Sequence, residues 1–388
     1  MAQMEFVDVF CGGGMMSYAA RAAGMKVIWG VDNDSSALLT YKVNFPEAKI
    51  VCASVGPGAD DEVAIPGAAP NRHIHLSPPC TQISSANAAR RDKASGIAAL
   101  KWSIQTAMSG YESWSIETVV SKSSHEIVKP LREAHKTDGL FDYAQIDAQY
   151  MGDPQTRKRL ILGPKTMIAA IKAAPPCRIV TVREAFAREG VAIPPGTTHT
   201  KNASKSNHTG SNIRPIDHPS FTVCAARANS FCKANGKTTK SMTSEQSRVL
   251  MGFDSGFKLR GKAIDTQRVL GNGICFQVGR AIALSAQKKA ITFPAQIRVE
   301  TSSSKDSDSS SDEDEDGCVA NDTLAACLDD MGKMAKRHAE DTERMAKRMR
   351  RLVVPESGVD SIESCASDPW YRLLWQDRKP VPSESGNM

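Results

Sequence analysis

Residues 5–14 read Glu-Phe-Val-Asp-Val-Phe-Cys-Gly-Gly-Gly and join a strand-like run to a helix through three consecutive glycines. The run Glu5–Phe10 is apolar, and the stretch Met15–Ala23 that follows has the composition of a helix. Glycine lets the backbone approach a ligand closely, and a helix N-terminus presents free N–H groups. The stretch therefore predicts a binding turn at the carboxyl end of a strand in an α/β sheet.

The same alternation of strands and helices continues along the chain. Further strands are predicted at Val27–Val31, Lys49–Cys52, His73–Leu76, Ser115–Val120, Tyr143–Ile146 and Leu160–Leu162. Helices are predicted at Ser35–Asn44, with Ser35 as its N-cap, and near Ile97–Ala107, His125–His135, Ser244–Met251 and Val278–Ala290. This order predicts an α/β fold with a mostly parallel sheet covered by helices on both faces.

Composition bounds the class of protein. At 388 residues, of which 41% are apolar, the chain is long enough for one large domain with an appendage, or for two domains. No apolar run is long enough to span a bilayer, so no membrane partner is predicted, and the N-terminus lacks a signal-peptide pattern. The ten cysteines show no repeated spacing, which predicts no metal site, no disulfide framework and an intracellular location.

Charge is distributed unevenly along the chain. Residues 1–294 carry 36 Lys and Arg against 23 Asp and Glu, a balance of +13, whereas residues 295–388 carry 13 against 20, a balance of −7. A basic body with an acidic tail predicts a polyanionic partner such as nucleic acid. The alternative is a soluble basic protein, which charge alone does not exclude.

Two segments depart from the strand and helix pattern. From about Thr197 to Thr239 the chain is basic with few aliphatic residues, which fits either a disordered linker or a loop-rich lobe that touches a polyanion. The tract Thr301–Asp316 is acidic, serine-rich and of low complexity, a composition typical of disorder. A heptad seam from Leu324 to Leu352 predicts a coiled coil that self-associates or a helix that binds a protein partner. The basic cluster at 347–351 is typical of a nuclear address, a nucleic-acid patch or a solvated helix face.

Cys80 is the most informative single residue. It follows the predicted strand His73–Leu76 and two prolines, whose fixed φ makes a stiff exit from the strand. A thiol on such a loop lies where an open α/β sheet binds its ligands. A lone cysteine is more often a small buried hydrophobe, so the partners of a nucleophile have to come from elsewhere in the chain.

Asp32 extends the binding turn. It ends the second predicted strand about 20 residues after the glycines, where a carboxylate binds the hydroxyls of a nucleotide ribose. The dinucleotide pattern Gly-x-Gly-x-x-Gly is not met, because Ser17 stands at its last glycine. An adenosine-type cofactor without pyrophosphate therefore stays open.

Taken in order, these residues resemble the cytosine-C5 methyltransferases of DNA, and the resemblance covers most of residues 4–290. The glycine turn with Asp8 resembles the S-adenosylmethionine loop of that family, Asp32 its ribose-binding position, and Pro78-Pro79-Cys80 its nucleophile motif. Further matches are Ile116-Glu117-Thr118-Val119, Gln155-Thr-Arg157-Lys-Arg159, Thr181-Val-Arg-Glu, Met251-Gly-Phe-Asp and Gly271-Asn272-Gly273. Each motif alone is weakly specific, whereas their joint order is strongly specific.

The resemblance implies a Rossmann-like class I methyltransferase fold and a catalytic role for four residues. Cys80 would add as a thiolate to C6 of a flipped-out cytosine, so that C5 can accept a methyl group. Glu117 would donate a proton at N3 of the base. Arg159 would bind O2 of the base, and Arg157 would brace the loop or contact the backbone.

S-adenosylmethionine is the cofactor that the resemblance implies. The residues implied to bind it are Asp8, Phe10, Gly12, Gly14, Asp32, Asn33, Ser54, Pro79 and Asn272. The implied organisation is a catalytic and cofactor-binding domain at 1–190, a small target-recognition region at 191–242, a return to the catalytic domain at 243–294, an acidic linker at 295–320 and a tail at 321–388.

Several positions depart from the family pattern, and three hypotheses stay open. The departures are Met15, Ser54, Thr81, Thr118 and the pair Glu245-Gln246. The recognition region is also about as short as in the family branch that methylates transfer RNA, whose Cys-Phe-Thr signature is absent. The chain is therefore a DNA methyltransferase, an RNA methyltransferase with the same chemistry, or a degenerate fold kept as a nucleic-acid-binding scaffold. The intact Cys80, Glu117 and Arg159 favour an enzyme, because a pure binding protein needs no thiol nucleophile.

Overall fold

The computed structural model describes residues 2–59, 63–80, 93–202 and 212–292. The acidic tract, the heptad seam, the basic cluster at 347–351 and the departure at Thr81 lie outside these residues. Within them, two sheets account for the strands.

The larger sheet has seven strands, and most of them were predicted. They are β1 (Glu5–Val9), β2 (Lys26–Asp32), β3 (Lys49–Cys52), β4 (Arg72–Leu76), β5 (Ser113–Val119), β6 (Asp142–Asp147) and β7 (Lys158–Gly163). Their order is β3-β2-β1-β4-β5-β7-β6, and the strands from β3 to β5 in that order pair in parallel. β7 is antiparallel to both of its neighbours, so Arg159 near its start pairs with Val119 at the end of β5.

Helices cover both faces of this sheet. They are α1 (Met15–Ala22), α2 (Ser35–Asn44), α3 (Lys93–Met108), α4 (Lys122–Ala134), α5 (Lys165–Ala173), α6 (Val182–Arg188), α7 (Ser244–Leu250), α8 (Ala263–Asn272) and α9 (Phe276–Ala286), with a 3-10 turn at Ala148–Met151. The core under α3 and α4 is separate from the core under α1, α5 and α9. The prediction of an α/β fold with a mainly parallel sheet is therefore confirmed.

The two cores follow from the period of two along each strand. In β1, Val7 and Val9 face the core under α3 and α4, whereas Phe6 faces the opposite core. All three side chains are fully buried. Burial of an apolar side chain of this size contributes roughly 1.5–3 kcal/mol, so the alternation fixes which face each helix must cover.

The N-cap of α2 differs from the prediction. Asp34, not Ser35, occupies the position, and its carboxylate accepts the N–H groups of Ser36 and Ala37 at 3.1 and 3.2 Å. The carboxylate accepts bonds from two N–H groups that have no partner within the helix, and its negative charge interacts favourably with the positive end of the helix dipole. Ser35 is therefore the first residue of the helix.

A small antiparallel sheet occupies most of the basic stretch that follows α6. Its strands are β8 (His199–Lys201), β9 (Ile213–Pro215), β10 (Ser230–Cys232) and β11 (Thr238–Ser241), in the order β11-β10-β8-β9. Phe231 of β10 is buried against Phe186 of α6, with ring centroids 5.9 Å apart. The described part of Thr197–Thr239 is thus an ordered lobe, and the alternative of a disordered linker is wrong there.

No single helix among residues 2–59, 63–80, 93–202 and 212–292 has the length and apolar composition to cross a membrane. α8 and α9 meet both requirements only when counted together, and the pair is bent by 47°.

Candidate active site

A cavity of about 530 Å³ opens beside the carboxyl ends of β1, β2 and β4. It contains all but one of the predicted cofactor residues, namely Asp8, Phe10, Gly12, Asp32, Asn33, Ser54, Pro79 and Asn272. Cys80 and Glu117 line the same cavity. Its volume lies in the range of small-molecule and cofactor sites, and its place at the strand ends is where α/β sheets bind ligands.

The glycine turn forms one wall of the cavity. Phe10 and Gly12 both adopt left-handed backbone conformations, with φ of 58° and 51°. A Cβ atom built on Gly12 would meet no atom within 4 Å, so the space in front of this residue is open to a ligand. A non-glycine residue with positive φ is uncommon, and such local strain is typical of binding turns.

The other two glycines serve packing. A Cβ atom at Gly13 would lie 2.4 Å from Cγ1 of Val269, because α8 packs directly on the turn. A Cβ atom at Gly14 would lie 2.6 Å from Phe45, and Gly14 is the N-cap of α1. Gly14 is absent from the residues that line the cavity, and its contact with a cofactor stays a prediction.

Asp32 holds the turn in place. Its Oδ2 accepts the N–H of Gly12 at 2.8 Å, and its Oδ1 accepts the N–H of Asp34 at 2.9 Å. An ionised carboxylate has about four acceptor positions, so each oxygen can accept a further bond from a ligand hydroxyl. Burial raises the pKa of Asp32, and the backbone N–H bonds oppose that effect.

Asp8 lies beneath the turn at the end of β1. Its Oδ2 accepts the Ser17 hydroxyl at 2.5 Å, and Ser17 is in turn 3.0 Å from the hydroxyl of Tyr41. Burial raises the pKa of Asp8 to about 7, and the nearby charge of Asp32 acts in the same direction. Ser17, which breaks the dinucleotide pattern, therefore satisfies a buried carboxyl group.

The cavity is also lined by neutral polar groups. Asn33 donates from Nδ2 to Oγ of Ser54 at 3.3 Å, and both residues are exposed. Asn272, the last residue of α8, lines the cavity as well. The rigid carboxylate, the open glycine turn and these neutral groups fit an adenosine-type cofactor.

Three strands of the sheet bring Cys80, Glu117 and Arg159 close together, although Arg159 is not among the residues that line the cavity. Cys80 follows β4, Glu117 lies on β5, and Arg159 lies near the start of β7. Nε of Arg159 is 2.5 Å from Oε1 of Glu117, and their side chains are only 14% and 5% exposed. Because β7 runs antiparallel, its first residues reach the edge at which the parallel strands end.

The protonation of Cys80 is set by these neighbours. Burial raises the pKa of the Cys80 thiol, and the negative charge of Glu117 raises it further. The positive charges of Arg159 and Arg157 oppose both effects. A thiolate at Cys80 therefore depends on the charge state of the adjacent groups.

Part of the chain matches a known protein family. Residues 4–165 match the family model of the C-5 cytosine-specific DNA methylases.

Similarity to individual proteins extends beyond residues 4–165. The Type II methyltransferase M.HgiDI of Herpetosiphon aurantiacus is 24% identical over 299 residues, which cover 73% of this chain and 94% of the relative. The Type II methyltransferase M.AgeI of Thalassovita gelatinovora is 27% identical over 168 residues, 41% of this chain and 39% of the relative. A prophage-encoded E. coli protein, assigned as a DNA modification methyltransferase, has the same fold with a TM-score of 0.52, 16% identity and coverage of 74% and 99%.

Arg157 does not line the cavity. Its guanidinium is buried and donates from Nη1 to the carbonyl of Val223 at 3.0 Å, and from Nη2 to the carbonyls of Gly271 and Gly273 at 2.9 and 2.8 Å. Burial lowers its pKa to about 10, so it stays charged at neutral pH. Arg157 thus joins its own chain segment to two others through the backbone carbonyls of those two segments.

Two residues that line the cavity, Arg268 and Ser77, were not predicted. Arg268 of α8 lines the cavity and donates from Nε to Asp34 Oδ2 at 3.0 Å and from Nη2 to Ser36 Oγ at 2.6 Å, which joins α8 to the start of α2. No local pattern links residues so distant in sequence. Ser77 also lines the cavity and bonds to His75. Here the sequence carries a signal, because His73 and His75 alternate along β4 as Ser113 and Ser115 do along β5.

Metal ligands are not clustered in the described part of the chain, where no three His, Cys, Asp or Glu side chains are placed to hold an ion.

Proposed function

We propose that this protein transfers a methyl group from S-adenosylmethionine to C5 of a flipped-out cytosine in DNA, through a covalent bond between Cys80 and C6. The observation that carries the proposal is the shared cavity, which is lined by the glycine turn together with Cys80 and Glu117, while Arg159 pairs with Glu117 and is not itself part of the lining. The match of residues 4–165 to the family model of the C-5 cytosine-specific DNA methylases supports DNA as the substrate.

S-adenosylmethionine supplies an electrophilic methyl group. Asp32 would accept the ribose hydroxyls with the free lone pairs of its carboxylate. Gly12 and Phe10 would lie against the cofactor along the open side of the turn, while Asn33, Ser54, Pro79 and Asn272 would complete the wall. Gly14, which is not part of the cavity lining, stays a cofactor contact predicted from the family motif.

The ion pair of Glu117 and Arg159 suggests how Cys80 is activated. A proton that moves from the thiol to the carboxylate, directly or through water, creates the thiolate and the protonated acid together. Loss of the negative charge at Glu117 then removes one of the two causes of the raised pKa of Cys80. The protonated Glu117 can donate at N3, while Arg159, released from the carboxylate, can bind O2.

Addition of the Cys80 thiolate to C6 would make C5 nucleophilic. The thiolate would form the S–C6 bond as N3 takes the proton of Glu117, and the electron pair of the C5–C6 double bond would become available at C5. C5 would then take the methyl group as the bond between that group and the cofactor sulfur breaks, which leaves S-adenosylhomocysteine. Loss of the C5 proton to water, cleavage of the S–C6 bond and return of the N3 proton to Glu117 would restore the aromatic ring and the thiolate. A thiol can reach C6 only if the cytosine leaves the base stack.

The lobe of β8–β11 would contact the nucleic acid in this proposal. Its described strands carry basic residues, among them Lys201 in β8 and Lys240 in β11. We accordingly assign target recognition to 191–242, catalysis and cofactor binding to 1–190 and 243–294, and a linker and protein-binding tail to 295–320 and 321–388. The intracellular location and the nuclear address at 347–351 stay predictions.

Methyl transfer from labelled S-adenosylmethionine to duplex DNA and to RNA tests the proposal. The Cys80→Ser variant is the principal comparison, and Cys177→Ser, at a half-buried thiol outside the cavity, is the matched control. We expect transfer to DNA by wild type and Cys177→Ser and none by Cys80→Ser. Equal transfer by all three would exclude the covalent mechanism, and transfer to RNA alone would identify RNA as the substrate. Binding of DNA without any transfer would support a scaffold.

A covalent complex with DNA that contains 5-fluorocytosine isolates the nucleophile. Fluorine at C5 cannot leave as a proton, so the S–C6 bond persists. A mass increase on the peptide that contains Cys80 is the expected result, and a modified peptide elsewhere would refute the assignment.

A further inference from the structure

A chain of buried hydrogen bonds crosses the sheet behind the catalytic loop. His73 and His75 of β4 lie on the same face as Ser113 and Ser115 of β5. The two nitrogens of His73 lie 2.8 Å from Ser113 and 2.8 Å from Ser115. The two nitrogens of His75 lie 2.7 Å from Ser115 and 2.9 Å from Ser77. We call these five residues the histidine–serine ladder.

Every ring nitrogen of the ladder has a partner, which makes the arrangement stiff. Both imidazoles are fully buried, and burial lowers the pKa of each to about 3, so both rings are neutral. A neutral imidazole has one N–H and one acceptor nitrogen, so Ser115, the hydroxyl shared by the two rings, can donate to one ring and accept the N–H of the other. Phe6 stacks on both rings, with centroids 5.8 and 6.3 Å away. A buried polar group that loses its partner is costly, which holds the ladder in this register.

The ladder ends at the segment that carries Cys80. Besides its bond to His75, Ser77 donates its N–H to the carbonyl of Val9 on β1 at 3.1 Å. Pro78 and Pro79 follow, and proline has no N–H group. Ser77 is therefore the last residue before Cys80 whose N–H can attach the chain to the sheet.

We propose that Ser77, held by His75 at the end of the histidine–serine ladder, is a positioning residue for Cys80. Two successive prolines have fixed φ, so few torsions separate the Ser77 backbone from the thiol, and the orientation of one is transmitted to the other. A misplacement of about 1 Å is enough to slow a reaction by roughly a hundredfold. The inference rests on the proposed function, in which Cys80 is the nucleophile.

Two alanine variants at opposite ends of the ladder test this role. Ser77→Ala removes the hydroxyl next to the prolines, whereas Ser113→Ala removes a matching hydroxyl at the other end, with His73 in between. The full-length protein is mixed with DNA containing 5-fluorocytosine and saturating S-adenosylmethionine, and the rate of covalent adduct formation is measured in a single turnover. We expect Ser77→Ala to be at least tenfold slower than wild type, Ser113→Ala to stay within about twofold, and Ser77→Thr, which keeps a hydroxyl, to recover most of the rate.

Further measurements separate positioning from a general loss of structure. We expect unchanged Michaelis constants for DNA and cofactor in Ser77→Ala, a similar loss of stability in both alanine variants, and faster hydrogen exchange of the Cys80 amide only in Ser77→Ala. Equal slowing by both alanine variants would overturn the inference, as would a wild-type rate and unchanged amide exchange in Ser77→Ala. If wild type itself forms no adduct at Cys80, the proposed function fails. If wild type and Ser77→Ala both form the adduct at the normal rate, only the positioning role of Ser77 fails, and the proposed function stands.

Discussion

Replacing Gly13 by alanine would place a methyl group where α8 already lies. The new Cβ atom would be 2.4 Å from Cγ1 of Val269 and 3.1 Å from Cγ2 of Thr40, whereas ordinary contact begins at 3.4 Å. The turn and the helix would therefore have to separate by about 1 Å. Valine in a helix is restricted to essentially one χ1 rotamer, so rotation of the side chain does not relieve the contact.

Gly13→Ala should lower the stability of the protein, and a second substitution at Val269 should relieve the overlap. Overpacking of this kind costs about 1–3 kcal/mol, so we expect Gly13→Ala to lower the free energy of unfolding by about 2 kcal/mol. Val269→Ala removes the clashing methyl group and alone costs about 2 kcal/mol through lost burial. In the double variant the clash is absent, so the two effects should fall short of additivity by about 1–2 kcal/mol.

Gly12→Ala is the matched control, because its Cβ atom would meet nothing within 4 Å and its cost arises from the left-handed φ of 51°. That cost, about 1–2 kcal/mol, should not change when Val269 is also replaced. Urea unfolding measures the stabilities, and calorimetric titration with S-adenosylhomocysteine measures whether the displaced turn binds the cofactor product more weakly. Wild-type stability in Gly13→Ala, or strict additivity with Val269→Ala, would refute the packing of α8 on the turn.

Asp153 is fully buried, and its carboxyl group accepts the N–H groups of Gln277 and Val278 at the start of α9. Burial raises its pKa to about 8, whereas the carboxyl group of the unfolded chain titrates near about 4. Its contribution to stability is therefore complete below about pH 4 and is lost as the pH rises to about 8, at up to about 1.4 kcal/mol per pH unit. Asp153→Asn should therefore show a shallower fall of unfolding free energy between pH 5 and 8, and parallel curves would contradict this. Arg157→Met leaves the carbonyls of Val223, Gly271 and Gly273 without a donor, so a loss of at least about 3 kcal/mol is expected in urea unfolding, and a loss below about 1 kcal/mol would be inconsistent with these bonds. Arg268→Ala removes a half-exposed ion pair and should change the free energy of unfolding by less than about 1 kcal/mol. Because Arg268 lines the cavity, the same variant should bind S-adenosylhomocysteine severalfold more weakly in a calorimetric titration. An unchanged affinity would contradict this.

Local patterns were enough to predict most of the large sheet and the helices on it. The apolar runs of β1–β5 and the turns between them carry strong signals within a few residues of sequence. The reversal of β7 carries no such signal, because strand direction depends on how the chain returns to the sheet. The predicted catalytic residues came from the order of family motifs, and only the direction of β7 explains why Arg159 reaches Glu117.

The parts that sequence reasoning missed depend on distant contacts. β8, β9 and β11 are three or four residues long and mostly polar, so periodicity cannot identify them. Gly14 packs against Phe45, and Arg268 pairs with Asp34. The two residues of each pair are far apart in the sequence, so no local pattern predicts either contact. The ladder was accessible in principle, since a histidine at every second position of a strand places both rings on one face.

The neutral imidazoles of the histidine–serine ladder give the protein a built-in spectroscopic probe. Each ring carries one N–H proton that is hydrogen-bonded and shielded from water by the sheet and by Phe6. Buried N–H protons of this kind exchange slowly, because exchange requires the structure to open. Proton resonances of His73 and His75 would therefore be visible in water, and they report on the strand that leads to Cys80 without any substrate or label.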